Sequence, residues 1–391
     1  MKSFRWWFIV FPEKNGQYMG DSRSNLGQMH LAKAASFVKR FFLYVSRAAV
    51  VHFVFTYLLA MGLGIFFMLF TTEGSEFSQT SVENLPLGLL AIFVIRIPIA
   101  APFGIVFVLT WLIYIICFAL AWRMNEGFIQ GLRGKTSQHP IFSSINFLLL
   151  FPALSSALWV LVLLMQGFQE AAGLPTGTIK FTNTYQGLFE LAYSPVFEEV
   201  MFRISPYALY SAAATGAKLL ARGTLKSSTI LRSFFLSVAF PDRAKETSRP
   251  SIRKGGFRKG VSIGEWALVI LTSTIFGLAH YLSGSGWEMG KITSSFMAGL
   301  VFFLSYLAFG FYAPILLHWF FNYYFYVYEV AAQSYHGIYE TLENTVSVSV
   351  QAAGSFVLLA FSVYALLMKF STAADTEHAY ESPAATPRAD P

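Results

Sequence analysis

The sequence predicts an all-α polytopic membrane protein of about eight transmembrane helices. Its composition points there first. Of 391 residues, 55% are hydrophobic and 13% charged, with a mean hydropathy of +0.53. Soluble domains carry about 25% charged residues. So few charges cannot coat a water-soluble particle that also holds 41 phenylalanines. The second observation is eight windows with the roughly 20 mostly apolar residues that a bilayer-crossing helix needs. The third is a one-sided distribution of Lys and Arg.

In order, the windows are 48–70, 100–121, 145–167, 184–212, 263–282, 292–310, 312–332 and 349–370. The stretch 86–99 is apolar too. It contains Arg96 and Pro98, with Pro102 just beyond, and reads as an interfacial or re-entrant lead-in to the second span. Only the turn at Gly310–Phe311 separates the sixth and seventh windows, so these should form an antiparallel hairpin. Residues 1–47 read as a cytoplasmic or interfacial segment. Its apolar run Trp6–Phe11 is too short for a signal peptide and, beside Lys2 and Arg5, suits the membrane surface. The tail 371–391 is rich in Ala, Pro, Thr and acidic residues and is expected to be disordered. No internal repeat is visible, which disfavours an inverted-repeat transporter.

With eight spans, segments 1–47, 122–144, 216–260 and 369–391 share one side and hold 24 basic residues. The other side holds three, Arg96, Lys180 and Lys291. The positive-inside rule then makes both termini cytoplasmic. The net charge of +7 is therefore a topology signal, and nucleic acid is not an expected partner. Segment 216–260 alone carries eleven basic residues against Asp242 and Glu246. It reads as a basic cytoplasmic loop lying along anionic lipid headgroups.

Ionisable groups at membrane depth are costly and need a reason. Glu190, Glu265 and Glu329 lie near the ends of their windows, in reach of headgroups or water, and His52 has no polar companion; these read as structural. The fourth window is different, because it contains Ser194-Pro195-Val196-Phe197-Glu198-Glu199-Val200-Met201-Phe202-Arg203. Glu199 and Arg203 are four apart, on one helix face and in pairing reach. Glu198 is turned about 100° away and can face a cavity. Pro195 either kinks this helix or starts a half-helix capped by Ser194. Phe276 and His280 share a face of the fifth window, and His318 and Asn322 a face of the seventh. Together these supply a base, imidazoles, an amide donor and a fixed cation. Such a set could deprotonate a water and stabilise an oxyanion away from bulk solvent.

Glu-Glu-x-x-x-Arg at 198–203, Phe-x-x-x-His at 276–280 and His-x-x-x-Asn at 318–322 resemble the motifs of the CAAX prenyl protease and bacteriocin-processing family. They occur in family order on separate windows, within a core of about 184–332. The resemblance implies a membrane-embedded glutamate endopeptidase with Glu198 as general base and His280 as its water-orienting partner. It implies His318 and Asn322 as oxyanion donors, Glu199 and Arg203 as a supporting pair, and Phe276 packed beside the site. No cofactor is implied; a Zn²⁺ held by Glu198, His280 and His318 is the alternative chemistry.

Other intramembrane chemistries fare worse. All four aspartates lie outside the windows, no His-Glu-x-x-His is present, and Cys117 stands alone. Ser283-Gly284-Ser285-Gly286 reads as a flexible turn. The expected architecture is a cavity among the fourth, fifth and seventh spans, opening toward the basic face. The expected partners are membrane lipids and a membrane-associated or prenylated peptide or protein. The expected location is the cell membrane, or the endoplasmic reticulum in a eukaryote. A non-catalytic immunity or scaffold protein of the same fold is the alternative function. A metal-dependent protease or a proton-coupled transporter ranks third.

Overall fold

The computed structural model describes residues 22–134, 145–224, 226–245 and 251–380. The segment Trp6–Phe11 and residues 381–391 lie outside the described residues. Helix α1 (Ser22–Phe70) leads through the short α2 (Thr72–Gln79) to a β-hairpin of β1 (Ser81–Leu89) and β2 (Phe93–Pro102). Then come α3 (Phe103–Arg123), the short α4 (Phe128–Leu132) and α5 (Phe147–Ala171). Helix α6 (Thr184–Glu199) passes through a π-turn, π1 (Val200–Ile204), into α7 (Ser205–Ala221). Three short helices follow: α8 (Ser227–Ala239), α9 (Pro241–Lys245) and α10 (Ile252–Gly260). The remainder is α11 (Ile263–Leu282), α12 (Lys291–Phe309), α13 (Tyr312–Trp319), a second π-turn π2 (Phe320–Tyr324), α14 (Phe325–Tyr335) and α15 (Ile338–Tyr380).

The fold is that of an all-α polytopic membrane protein. Among the described residues, six helices are long and apolar enough to cross a membrane: 43–70 of α1, α3, α5, α11, α12 and 338–366 of α15. The windows 184–212 and 312–332 are each divided by a π-turn. Their α-helical pieces are 16 and 17 residues long in one case and 8 and 11 in the other. Hydropathy counts eight windows because it cannot register a change of helical pitch. The structure has six uninterrupted long helices and two divided ones.

Lipid tails are as apolar as leucine, so helices in a bilayer associate through close packing and polar contacts. Both are present. Gly277 of α11 lies against the Ile292 carbonyl of α12, where an added Cβ would sit 2.5 Å from that oxygen. Gly354 of α15 approaches the Ser156 carbonyl of α5 in the same way. The aromatic residues build the centre: Trp319 is fully buried, with the rings of Tyr57, Trp111, Tyr114 and Tyr323 within 6 Å of its own. Tyrosine hydroxyls bond across helices, Tyr57 to the Leu316 carbonyl and Tyr114 to that of Ala192.

Three expectations change. First, 86–99 is most of an antiparallel β-hairpin. Pro86 and Pro98 exclude a regular helix, and Val94, Ile95, Ile97 and Ile99 favour extended backbone. The hairpin leaves and returns at one level: the Phe103 N–H bonds the Thr80 carbonyl, and the Phe103 ring packs on Phe189 in α6. Its tip lies alongside π1, where the Ala91 N–H donates to the Met201 carbonyl at 2.8 Å. The run therefore re-enters along α6, as a strand pair.

Local chemistry explains the anchorage. The Ser205 N–H is bonded to the Val200 carbonyl in π-fashion, and Pro206 has no N–H to offer Met201. The Met201 carbonyl thus loses its intrahelical donors, and the hairpin supplies one. The Leu90 N–H bonds Ser205 Oγ at 2.8 Å. Both tip residues have left-handed backbone, with φ of 55° at Leu90 and 66° at Ala91. L-residues hold that conformation only where the surroundings fix it.

Second, segment 216–260 is largely helical, and a buried polar knot docks it on the bundle. Lys245 Nζ lies 3.2 Å from Glu265 Oε1, Tyr207 donates to the same oxygen at 2.7 Å, and Ser262 and Glu265 form a capping box that starts α11. Glu265 is therefore buried and paired, not directed to headgroups. Asp242 accepts the Ile252 and Arg253 N–H groups and so fastens the start of α10. Third, α15 continues to Tyr380, into the stretch expected to be disordered; its Ala-rich sequence is a good helix former.

Candidate active site

The first motif straddles the α6–π1 junction. Pro195 lies inside α6, which begins at Thr184, so Ser194 caps no helix there. Glu199 ends α6, and Arg203 lies within π1. Both side chains are fully buried, and Arg203 Nη1 donates to Glu199 Oε1 at 3.1 Å. The guanidinium is caged by aromatic faces, 4.0 Å above Phe276 and 5.5 Å from Phe302. Gly299 of α12 leaves room for it; an added Cβ would sit 3.2 Å from Arg203 Nη2.

His318, near the end of α13, joins the two carboxylates. Its Nδ1 lies 2.7 Å from Glu199 Oε1 and its Nε2 3.4 Å from Glu198 Oε2. The ring is buried and stacked on Phe302, with centroids 4.9 Å apart. Nδ1 faces the Glu199–Arg203 pair, and Nε2, on the opposite side of the ring, faces Glu198. The two glutamates thus occupy different surroundings: Glu199 is sealed between Arg203 and His318, whereas the Glu198 side chain keeps 18% of its surface exposed.

Asn322 lies in π2, one turn beyond His318, and donates to Ser194 Oγ at 2.9 Å. His280, near the end of α11, bonds the Phe276 carbonyl of its own helix through Nδ1 at 2.9 Å. Its ring is T-shaped to Phe276 at 4.6 Å, and Phe276 also meets His318 at 5.7 Å. His280 has no carboxylate within 4 Å among the described residues; His318 does. Glu198, Glu199, Arg203, Phe276, His280 and His318 are linked by these contacts, and Asn322 ties to α6 through Ser194, four residues before Glu198. Among the described residues, no group of three or more His, Cys, Asp or Glu side chains has the arrangement of a metal site.

Helix α11 starts beside the basic segment and places His280 at its far end. The loop after it is tied down there by the Glu288 and Gly290 N–H groups, which donate to the Thr176 and Pro175 carbonyls. Trp287 in this loop has its ring 6.5 Å from that of His280 and carries Lys291 Nζ at 3.8 Å. The expected opening toward the basic face does not suit this placement. Phe302, Gly299 and Ser194 were missed as site residues, because an apolar ring, a glycine and a serine in an apolar window carry no chemical signal alone.

Several buried polar atoms here have no hydrogen-bond partner among the described residues: Glu198 Oε2, Glu199 Oε2, Arg203 Nε and Nη2, and Ser273 Oγ. Buried polar groups are nearly always satisfied, and five of the unpartnered atoms fall around this one ion pair. The fold and this cluster define a polytopic helical membrane protein with a Glu–His–Glu–Arg relay inside its bundle. Residues 180–324 match the family model described as type II CAAX prenyl endopeptidase, Rce1-like. Comparison with curated proteins and with solved structures gives no match.

Proposed function

We propose that the protein is an intramembrane glutamate endopeptidase, hydrolysing a peptide bond in a membrane-associated or lipid-modified chain. The observation that carries the reading is the unequal environment of the two glutamates. Glu198 keeps 18% of its side-chain surface exposed, while Glu199 and Arg203 are fully buried and hold His318 in place.

In this scheme Glu198 takes a proton from a water molecule as the oxygen attacks the scissile carbonyl. His280, across Phe276, orients that water. Negative charge moves onto the carbonyl oxygen and is met by His318 and Asn322. His318 is held in place by its contact with Glu199, and Arg203 pairs with that carboxylate. The C–N bond then breaks as Glu198 passes its proton to the leaving nitrogen, giving a carboxylic acid and an amine. In a site shielded from water, each fixed donor to the oxyanion lowers the barrier by about 3–4 kcal/mol. The basic end of the bundle would face the cytoplasm, with both termini on that side.

The test is hydrolysis of fluorescence-quenched peptides by purified full-length protein. Glu198→Gln should lower turnover by about 100-fold or more, with unchanged thermal unfolding. Full activity in Glu198→Gln and His280→Ala would overturn the assignment. Activity lost to a chelator and restored by Zn²⁺ would favour metal chemistry.

A further inference from the structure

The β1–β2 ribbon has two outer edges, and they are not equivalent. The edge of β1 lies on α6 and π1. Tyr193 donates its hydroxyl to the Pro86 carbonyl at 2.6 Å, and one face of the ribbon packs on π1 at Gly88, where an added Cβ would be 2.6 Å from the Met201 side chain. Successive residues of a strand direct their backbone groups to opposite edges. Pro86 faces Tyr193 and pairs with Arg96, and Gly88 pairs with Val94. The same alternation therefore turns the backbone groups of Val94, Arg96 and Pro98 to the outer edge of β2. Among the described residues no hydrogen bond reaches that edge. Its flanking side chains are open as well, with Phe93, Val94 and Ile95 each more than half or about half exposed.

A free strand edge beside an intramembrane helix is expensive, because lipid offers no donors or acceptors. The group that satisfies a row of alternating N–H and C=O groups is another extended backbone, about 4.8 Å away. The edge also leads somewhere. Ala91 at the tip packs with Met201, Phe202 and Phe276, and Phe276 is the ring that carries Arg203 and touches both His280 and His318. A strand laid on β2 would thus reach the level of Glu198.

We infer that β2 is the substrate-binding strand: an extended apolar peptide joins its free edge as a third strand, and its scissile bond is delivered past the hairpin tip. This rests on the endopeptidase reading, and it specifies how a peptide is selected: by an apolar, extended backbone. Main-chain pairing would supply affinity, with little demand on individual side chains.

The experiment uses full-length protein in lipid nanodiscs and a fluorescence-quenched decapeptide of Val, Leu and Ala, N-methylated at one amide at a time. Every second methyl group should raise KM by about tenfold, the loss of one backbone hydrogen bond, with kcat nearly constant. Uniform sensitivity, or none, would overturn the proposal. A second arm needs no turnover: the same peptide with a central benzophenone is photo-crosslinked to Glu198→Gln protein. Crosslinks at residues 93–98 are expected, and crosslinks confined to other segments would overturn the proposal. Chain-to-chain crosslinks from a benzophenone placed at position 96 that persist at every concentration of peptide would overturn the proposal and assign the edge to a second copy. If wild-type protein leaves the decapeptide intact while crosslinks map to β2, the endopeptidase reading fails and the docking strand stands.

Discussion

His318 and Glu199 lie 2.7 Å apart on different helices, fully shielded from solvent, and that contact joins α13 to the end of α6. The carboxylate is shared with Arg203. One glutamate thereby fixes both a cation and an imidazole.

Removing this carboxylate should unfold the protein more readily than removing its neighbour. Glu199→Ala strands a buried guanidinium, a change that costs about 3–5 kcal/mol. Glu198→Gln removes no buried ion pair and should shift stability by less than about 1 kcal/mol. Thermal unfolding of the two variants in detergent separates them: a large fall in Tm for the first, almost none for the second.

The knot at the base of α11 should show strong coupling. Lys245→Met leaves Glu265 buried without its cation, and Glu265→Leu leaves Lys245 with the Gly260 carbonyl and the more distant Asp242; each should cost about 3–5 kcal/mol. The double variant should be more stable than either single one. Denaturant unfolding of all four proteins measures the coupling, and simple additivity would contradict the buried pair.

Helix contact through glycine predicts a size-dependent defect. Gly277→Ala places a methyl group 2.5 Å from the Ile292 carbonyl, so α11 and α12 must separate. The expected cost is about 1–3 kcal/mol. Gly62→Ala is the control, since an added Cβ there meets nothing within 4 Å, and helix propensity makes it neutral or stabilising.

The hairpin tip is held by backbone groups that π1 leaves over. Ser205→Ala deletes the acceptor of the Leu90 N–H, and Pro206→Ala offers the Met201 carbonyl a competing donor. Hydrogen exchange followed by mass spectrometry should report faster exchange across 85–97 in both variants. The effect corresponds to about 1 kcal/mol for each bond weakened. Exchange at α3 should not change.

Much of this was legible in the residues themselves. Hydropathy located α11 at its observed ends and α3, α5 and α12 to within a few residues, because lipid imposes one length and one composition on any spanning helix. Four-residue spacing put Glu199 beside Arg203, since an α-helix brings such positions onto one face. The three motifs were visible as charges and imidazoles in windows that otherwise exclude them. The hairpin at 81–102 was seen only as an apolar run interrupted by prolines. Its strand character depends on a partner strand and on the open Met201 carbonyl far away in sequence.

The sequence by itself determined the class of fold, the residues eligible for chemistry and the pairing within each motif, because all of these follow from composition and helical period. The tertiary structure alone decided which imidazole meets which carboxylate. His280 and His318 are equivalent as residue types, yet only His318 touches Glu198 and Glu199 among the described residues. That choice was made by the crossing of α13 over α6, the aromatic cage of Phe276 and Phe302, and the space left by Gly299. Contacts between distant segments depend on packing, which no local period encodes.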